Sequence, residues 1–169
     1  MITIIILGID PGTTHANPVG WGMLKDDLQV LDYGVIELDR NADFNTRMWV
    51  ISKELNKIFK KYSSEIDYIV FEEPFGPNKS TMKKLGQVIG VVRSVAQMND
   101  IPVYDGYTPS HVKKIGTGNG NAPKDLVNEH MSKKLKGAGH LWKDEADALC
   151  IAYTGLHHYE ENIDESVSK

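Results

Sequence analysis

Apolar residues follow two rhythms along this chain. MITIIILGI (residues 1–9) is mainly apolar, with Thr3 its one polar residue, and is short enough for a strand buried on both faces. VGWGMLK (19–25) and LQVLDYGVIEL (28–38) read as two more strands, joined by a turn at Asp26 and Asp27. Three consecutive strands predict an antiparallel meander. From 44 to 62 the period changes, and Met48, Ile51, Leu55, Ile58, Phe59 and Tyr62 share one helical face. IDYIVFEE (66–73) returns to strand. A second helix is predicted over 79–98, with Leu85, Val88, Ile89, Val92 and Val95 on one side. Gly86 and Gly90, four apart on it, leave room for another backbone to approach. IPVYDG (101–106) predicts a fifth strand with Asp105 as its closing turn residue. TPSHVKKI reads as a helical turn with Pro109 near its start, TGNGNAPKD as a glycine-rich loop, and 124–136 and 143–158 as helices. The order β-β-β-α-β-α-β-α-α-α predicts an α/β fold: a mixed five-stranded sheet, three antiparallel strands plus two parallel, with helices on both faces.

The 169 residues fit one domain over 1–158 and a polar tail, 159–169, expected to fray. No apolar stretch reaches the roughly 18 residues needed to span a bilayer, and the N-terminus lacks the basic region of a signal peptide. Cys150 is the one cysteine, which excludes an internal disulfide and suits a reducing cytoplasm. It reads as a core residue, and Trp21, Trp49 and Trp142 read as packing residues.

A net charge of −4 argues at first against a nucleic-acid partner. Its distribution changes that. Residues 79–143 hold 11 Lys and Arg against 4 Asp and Glu, whereas 1–78 hold 7 against 12 and 144–169 hold 1 against 7. A basic middle between acidic ends can bind phosphates, although ordinary solvated helix faces would give the same totals.

Three apolar runs meet acid. Asp10 closes the first strand, Glu72 closes the fourth with Glu73 beside it, and Asp144 and Asp147 share one face of the last helix. Taken singly, Asp10 before Pro-Gly fits an Asx-turn, Glu72 an edge-strand surface group, and Asp144 a helix cap. Taken together, parallel strands would bring Asp10 and Glu72 side by side at their carboxyl ends. Like charges that close repel unless a cation lies between them. Hard oxygen ligands without cysteine suit Mg²⁺ or Mn²⁺, and such ions support water attack on a phosphodiester.

LGIDPG (7–12), VFEEPF (70–75), LGQVIG (85–90) and DEADALCIA (144–152) together resemble the RuvC-type Holliday-junction resolvases of the RNase H-like superfamily, in order over nearly the whole chain. The resemblance implies an RNase H-like nuclease, a Mg²⁺-dependent homodimer that nicks branched DNA in pairs, with Mn²⁺ as substitute. It matches Asp10, Glu72, Asp144 and Asp147 to the four acidic ligands, and Phe75 to an aromatic wedge at the junction centre. Lys113 and Lys124 match basic residues near the scissile phosphate, and helix 79–98 matches the dimer helix. The cell would be a bacterium or a phage-infected host. Phage relatives act on Y-forks and flaps as well as four-way junctions.

Residue chemistry agrees in outline. Phe75 in Pro-Phe-Gly-Pro is either an exposed aromatic able to unstack bases or a loop residue folded onto the core. Lys113 and Lys124 flank the glycine-rich loop, whose N–H groups could contact phosphate; solvated lysines are the alternative. TTHANPV (13–19) makes the first turn longer than the family pattern. His15 and His140 match nothing in the family and read as structural or surface residues. Two other classes remain in view: a branched-DNA-binding protein with weak catalysis, and an actin-like or sugar-kinase-type ATPase fragment, suggested by GIDPGTT. The latter needs a second phosphate loop near the end, where DEADAL stands instead.

Overall fold

The sheet is organised around its first strand. The computed structural model describes residues 2–104 and 106–167, with side chains described through Glu161. β1 (Ile5–Asp10) pairs antiparallel with β2 (Val19–Lys25), and β2 pairs antiparallel with β3 (Val30–Ile36), giving the expected meander. On its other side β1 runs parallel to β4 (Tyr68–Phe71), so the order is β3-β2-β1-β4.

Among the described residues the sheet has four strands, where the sequence predicts five. Residues 101–107 do follow the free edge of β4, but as isolated parallel bridges, Ile69 to Val103 and Glu72 to Tyr107. Pro102 has no N–H to donate, so only its carbonyl takes part, accepting from Ile69 N at 2.8 Å. Tyr104 N and Tyr107 N donate back to the Ile69 and Phe71 carbonyls, each at 3.0 Å. Asp105 lies outside the described residues.

Strand alternation assigns the two faces. Leu7 and Ile9 of β1, with Ile69 and Phe71 of β4, pack into one core with α1 (Phe44–Tyr62) and α2 (Lys79–Met98). Ile6, Leu24, Tyr68 and Val70 pack into the other core, under α5 (Lys143–Val167). α3 (Pro109–Thr117) and α4 (Lys124–Lys134) pack against α5. Caps fix three helix starts: Asp43 accepts from Thr46 N, Asn78 from Thr81 N, and Thr108 from His111 N. α3 ends on Gly118, whose φ of 84° suits a residue without Cβ. α5 continues to Val167, beyond the expected end at 158. His157 and His158 pair with Glu161 one turn on, which supports helix there.

α5 lies unusually close to the sheet because glycines stand beneath it. A Cβ at Gly8 would come within 2.2 Å of the Ala148 carbonyl oxygen and 2.6 Å of Ala152 N. At Gly20 it would meet the Asp144 carbonyl oxygen at 2.4 Å. The helix meets these positions with Ala148 and Ala152, both fully buried.

Candidate metal centre

The period of two that directs Ile6 and Gly8 toward α5 directs Asp10 there as well. The same parity carries Tyr68, Val70 and Glu72 to that face. β1 and β4 are in parallel register with Ile9 opposite Phe71, so Asp10 and Glu72 leave adjacent strands side by side, and Glu72 N donates to the Ile9 carbonyl at 3.2 Å. α5 begins directly above. Its seat on Gly8 and Gly20 lowers Asp144 and Asp147 onto the strand ends.

Among the described residues, Asp10, Asp144 and Asp147 offer oxygens that all lie within 4.8 Å of one another. Glu72 lines the same cleft of about 120 Å³ with Asp10, Asp147, Lys113 and Lys124, but falls outside that tightest group. Glu73 turns away, its side chain lying against Gly106. Of the two adjacent glutamates, Glu72 is therefore the one in the cleft.

The electrostatics are those of acids crowded without enough compensating charge. Burial, followed by the charges of Glu72 and Asp147, pushes Asp10 well above the usual carboxylate range. Burial and then Asp147 push Glu72 from 4.5 up to about 7, against the opposing pull of Lys124 and Lys113. Burial raises Asp147 too, although Lys124 opposes it from 3.2 Å. Lys124 is half-buried, which disfavours its charge, but Asp147, Asp10 and Asp144 outweigh this and raise its pKa. A divalent cation would relieve the repulsion directly, and an all-oxygen donor set suits a hard one.

The remaining sequence candidates divide. Lys113 and Lys124 both reach the cleft. Phe75 stands in solvent, 79% exposed, and not folded onto the core. Four N–H groups of the glycine-rich loop are already bonded within the segment: Gly118 N, Asn119 N, Asn121 N and Ala122 N to Lys114 O, Thr117 Oγ1, Asn119 Oδ1 and Asn119 O. His15 Nδ1 bonds with the Leu38 carbonyl oxygen and His140 packs edge-on to Trp142, both at the surface and outside the acid cleft. Cys150 is buried, as expected. Trp21 packs against Gly34, but Trp49 and Trp142 are 65% and 69% exposed, contrary to their reading as packing residues. Trp49 lies off the α1 stripe formed by Ile51, Leu55 and Phe59, and Trp142 precedes the first turn of α5.

Sequence reading missed the neighbours of the cleft on α2. Thr81 and Lys84 line a second groove with Asp10, Asp144, Lys124 and the loop from Pro11 to Pro18. The Lys83-Lys84 pair was a charge signal for this wall.

Comparison with known proteins agrees with this geometry. The family model described as crossover junction endodeoxyribonuclease RuvC matches residues 6–155. A curated RuvC of Carboxydothermus hydrogenoformans is 40% identical over 156 residues, 89% of this chain and 94% of the relative. That of Cytophaga hutchinsonii is 34% identical over 171 residues, covering 98% of this chain and 80% of the relative. The solved structure of T. thermophilus RuvC in complex with Holliday junction substrate superposes with a TM-score of 0.78 at 25% identity, over 94% of this chain and 96% of that one. The match begins inside β1, ends inside α5 and so encloses every acid of the cleft: the chain belongs to the RuvC family of crossover junction endodeoxyribonucleases.

Proposed function

We propose that this chain is a Mg²⁺-dependent, structure-specific endonuclease that resolves four-way DNA junctions by paired nicks as a homodimer. The observation that carries the reading is the convergence of Asp10, Asp144 and Asp147, with Glu72 beside them and two lysines facing them. Held by Asp10, Glu72, Asp144 and Asp147, Mg²⁺ (or Mn²⁺ in its place) would supply positive charge to the scissile phosphate and a more acidic water. Lys113 and Lys124 bring further positive charge to a bound phosphate. Phe75, exposed on the loop after Glu72, would insert between bases opened at a branch. No described helix is long and apolar enough to cross a membrane, and buried Cys150 is compatible with a reducing cytoplasm, the compartment we assign.

Synthetic four-way, three-way and Y-shaped DNA, offered in Mg²⁺ and in Mn²⁺, test this. Wild type should cut the four-way junction. Asp10→Asn and Glu72→Gln should bind it and cut more than about a hundredfold more slowly, since removing even an outer partner of a metal ligand costs roughly 10–100-fold. Cleavage by either variant at the wild-type rate overturns the ligand assignment. Binding without cleavage in both metals leaves a branched-DNA-binding protein, and equal cutting of Y-forks widens the substrate.

The dimer has its own test. Gly86 and Gly90 are exposed on α2, and a Cβ at either would meet nothing within 4 Å. Alanine there should stabilise the isolated helix by about 0.5–1 kcal/mol per site. Across a close helix–helix contact the same methyls would hold two copies apart. The double variant should therefore melt at a higher temperature as a monomer yet dimerise more weakly by sedimentation equilibrium. Unchanged dimerisation would move the interface elsewhere.

A further inference from the structure

His111 and Lys113 are two residues apart on α3, so they project roughly 200° apart. Lys113 enters the acid cleft, while His111 faces the C-terminal half of α5. There it meets His158, eleven residues beyond Asp147 and so about 16 Å further along the helix. The two Nε2 atoms face each other at 2.7 Å, with the rings 5.0 Å apart and inclined by 24°. Behind His158, Nδ1 lies 3.1 Å from Glu161 Oε2, and the other oxygen of that carboxylate reaches His157 Nε2 at 3.3 Å. Tyr107 stacks on the His158 ring at 5.2 Å and leans on His111 at 5.9 Å.

Donor counting sets the tautomers. The Glu161 carboxylate can only accept, so in the neutral tautomer His158 carries its proton on Nδ1 and presents a lone pair at Nε2. His111 must then donate its Nε2–H to that lone pair. Burial, followed by His158, His157 and Lys114, holds the His111 pKa below 6.5, with Glu161 opposing. The neutral ring is the ligating form.

We propose that His111 and His158 form a second metal site, for an imidazole-preferring transition ion such as Zn²⁺, separate from the carboxylate cleft. Three features of the arrangement fit a ligand pair. A carboxylate behind the ligating ring fixes its tautomer and orientation, the usual outer partner of a metal-bound histidine. Tyr107 holds both ring planes. The two nitrogens are already in contact, but they meet head-on, because the 5.0 Å between centroids equals the 2.7 Å contact plus the two ring radii. An ion about 2.0–2.1 Å from each in tetrahedral geometry therefore requires each ring to swing in its own plane by about 35° and the nitrogens to part to roughly 3.3 Å, breaking their mutual hydrogen bond. Water completes the coordination. On binding, the His111 proton moves from Nε2 to Nδ1, and neither ring changes charge. Mg²⁺ prefers oxygen and does not compete. The ion would tie α3 to α5, the helices that bring Lys113 and Asp147 to the cleft. None of this depends on the nuclease reading.

The test uses tag-free full-length protein in excess Mg²⁺, titrated with Cu²⁺ as spectroscopic probe and with Zn²⁺ in thermal melts. One equivalent of Cu²⁺ should bind with hyperfine coupling to two imidazole nitrogens. Zn²⁺ a hundredfold above its Kd should raise the melting temperature by about 5 °C. His111→Ala and His158→Gln should each reduce the coupling to one nitrogen and weaken uptake at least tenfold. The glutamine keeps a hydrogen-bonding side chain, so a fold maintained by that bond alone would survive. His15→Gln with His140→Gln should change nothing. An oxygen-only spectrum, no stoichiometric uptake, or two-nitrogen coupling that persists in His111→Ala overturns the proposal.

Discussion

Glu72→Gln should make the metal-free protein more stable at pH 8 while removing cleavage. A carboxyl that titrates at about 7 in the fold and 4.5 outside it holds its proton more tightly when folded. Below pH 4.5 both states are protonated and nothing is lost. Between 4.5 and 7 the folded form carries more protons than the unfolded chain, so stability falls as pH rises. Above 7 the full penalty is present, up to about 3 kcal/mol for this one group. Metal-free wild type should therefore resist urea better at pH 5 than at pH 8. Glu72→Gln should flatten that dependence, and Mg²⁺ should stabilise wild type at pH 8 more than the variant. Glu72 is a cleaner position than Asp147, because neutralising Asp147 would also leave Lys124 without its carboxylate at 3.2 Å. A wild-type stability that rises from pH 5 to pH 8 without metal would contradict the raised pKa.

Gly8→Ala should be costly far beyond the single carbon it adds. The new Cβ would lie 2.2 Å from one backbone atom of α5 and 2.6 Å from another, so a rotamer change cannot absorb it and the helix must lift. Overpacking of this kind costs about 1–3 kcal/mol, and Gly8→Val should cost more. Lifting α5 also raises Asp144 and Asp147 away from Asp10, so cleavage should fall more steeply than stability. Denaturant midpoints and single-turnover cleavage at a temperature where the variant stays folded would separate the two effects. Full activity in Gly8→Ala would mean that the acids do not depend on this helix–sheet distance.

The contrast between Glu72 and Gly8 indicates what the sequence makes legible. Asp10 and Glu72 could be placed together because each ends an apolar run, and parallel strands align their ends. The i,i+3 spacing likewise put Asp144 and Asp147 on one helix face. The distance between helix and sheet was not legible. It depends on Gly8 and Gly20 facing Ala148, Ala152 and the Asp144 backbone, a match between segments more than a hundred residues apart. The fifth strand is reduced to two isolated bridges because its register against β4 shifts by one residue between Ile69–Val103 and Glu72–Tyr107, a shift that the apolar pattern does not reveal. Trp49 lies off the buried stripe of α1 and Trp142 ahead of α5, positions that residue size alone does not reveal. Thr81 and Lys84 reach the groove from the first turns of α2, ahead of its buried stripe, so apolar periodicity does not mark them.

The long first turn after β1 is held at two points. Arg47 of α1 donates to the carbonyls of Thr13, Asp39 and Arg40 at 3.4, 3.2 and 2.8 Å, and His15 bonds with that of Leu38 at 3.0 Å. The wall it forms beside Asp10 and Asp144 is thus set before any strand arrives. A ligand docking there need not freeze a wandering segment, and the entropy of ordering that side of the groove has already been met by folding.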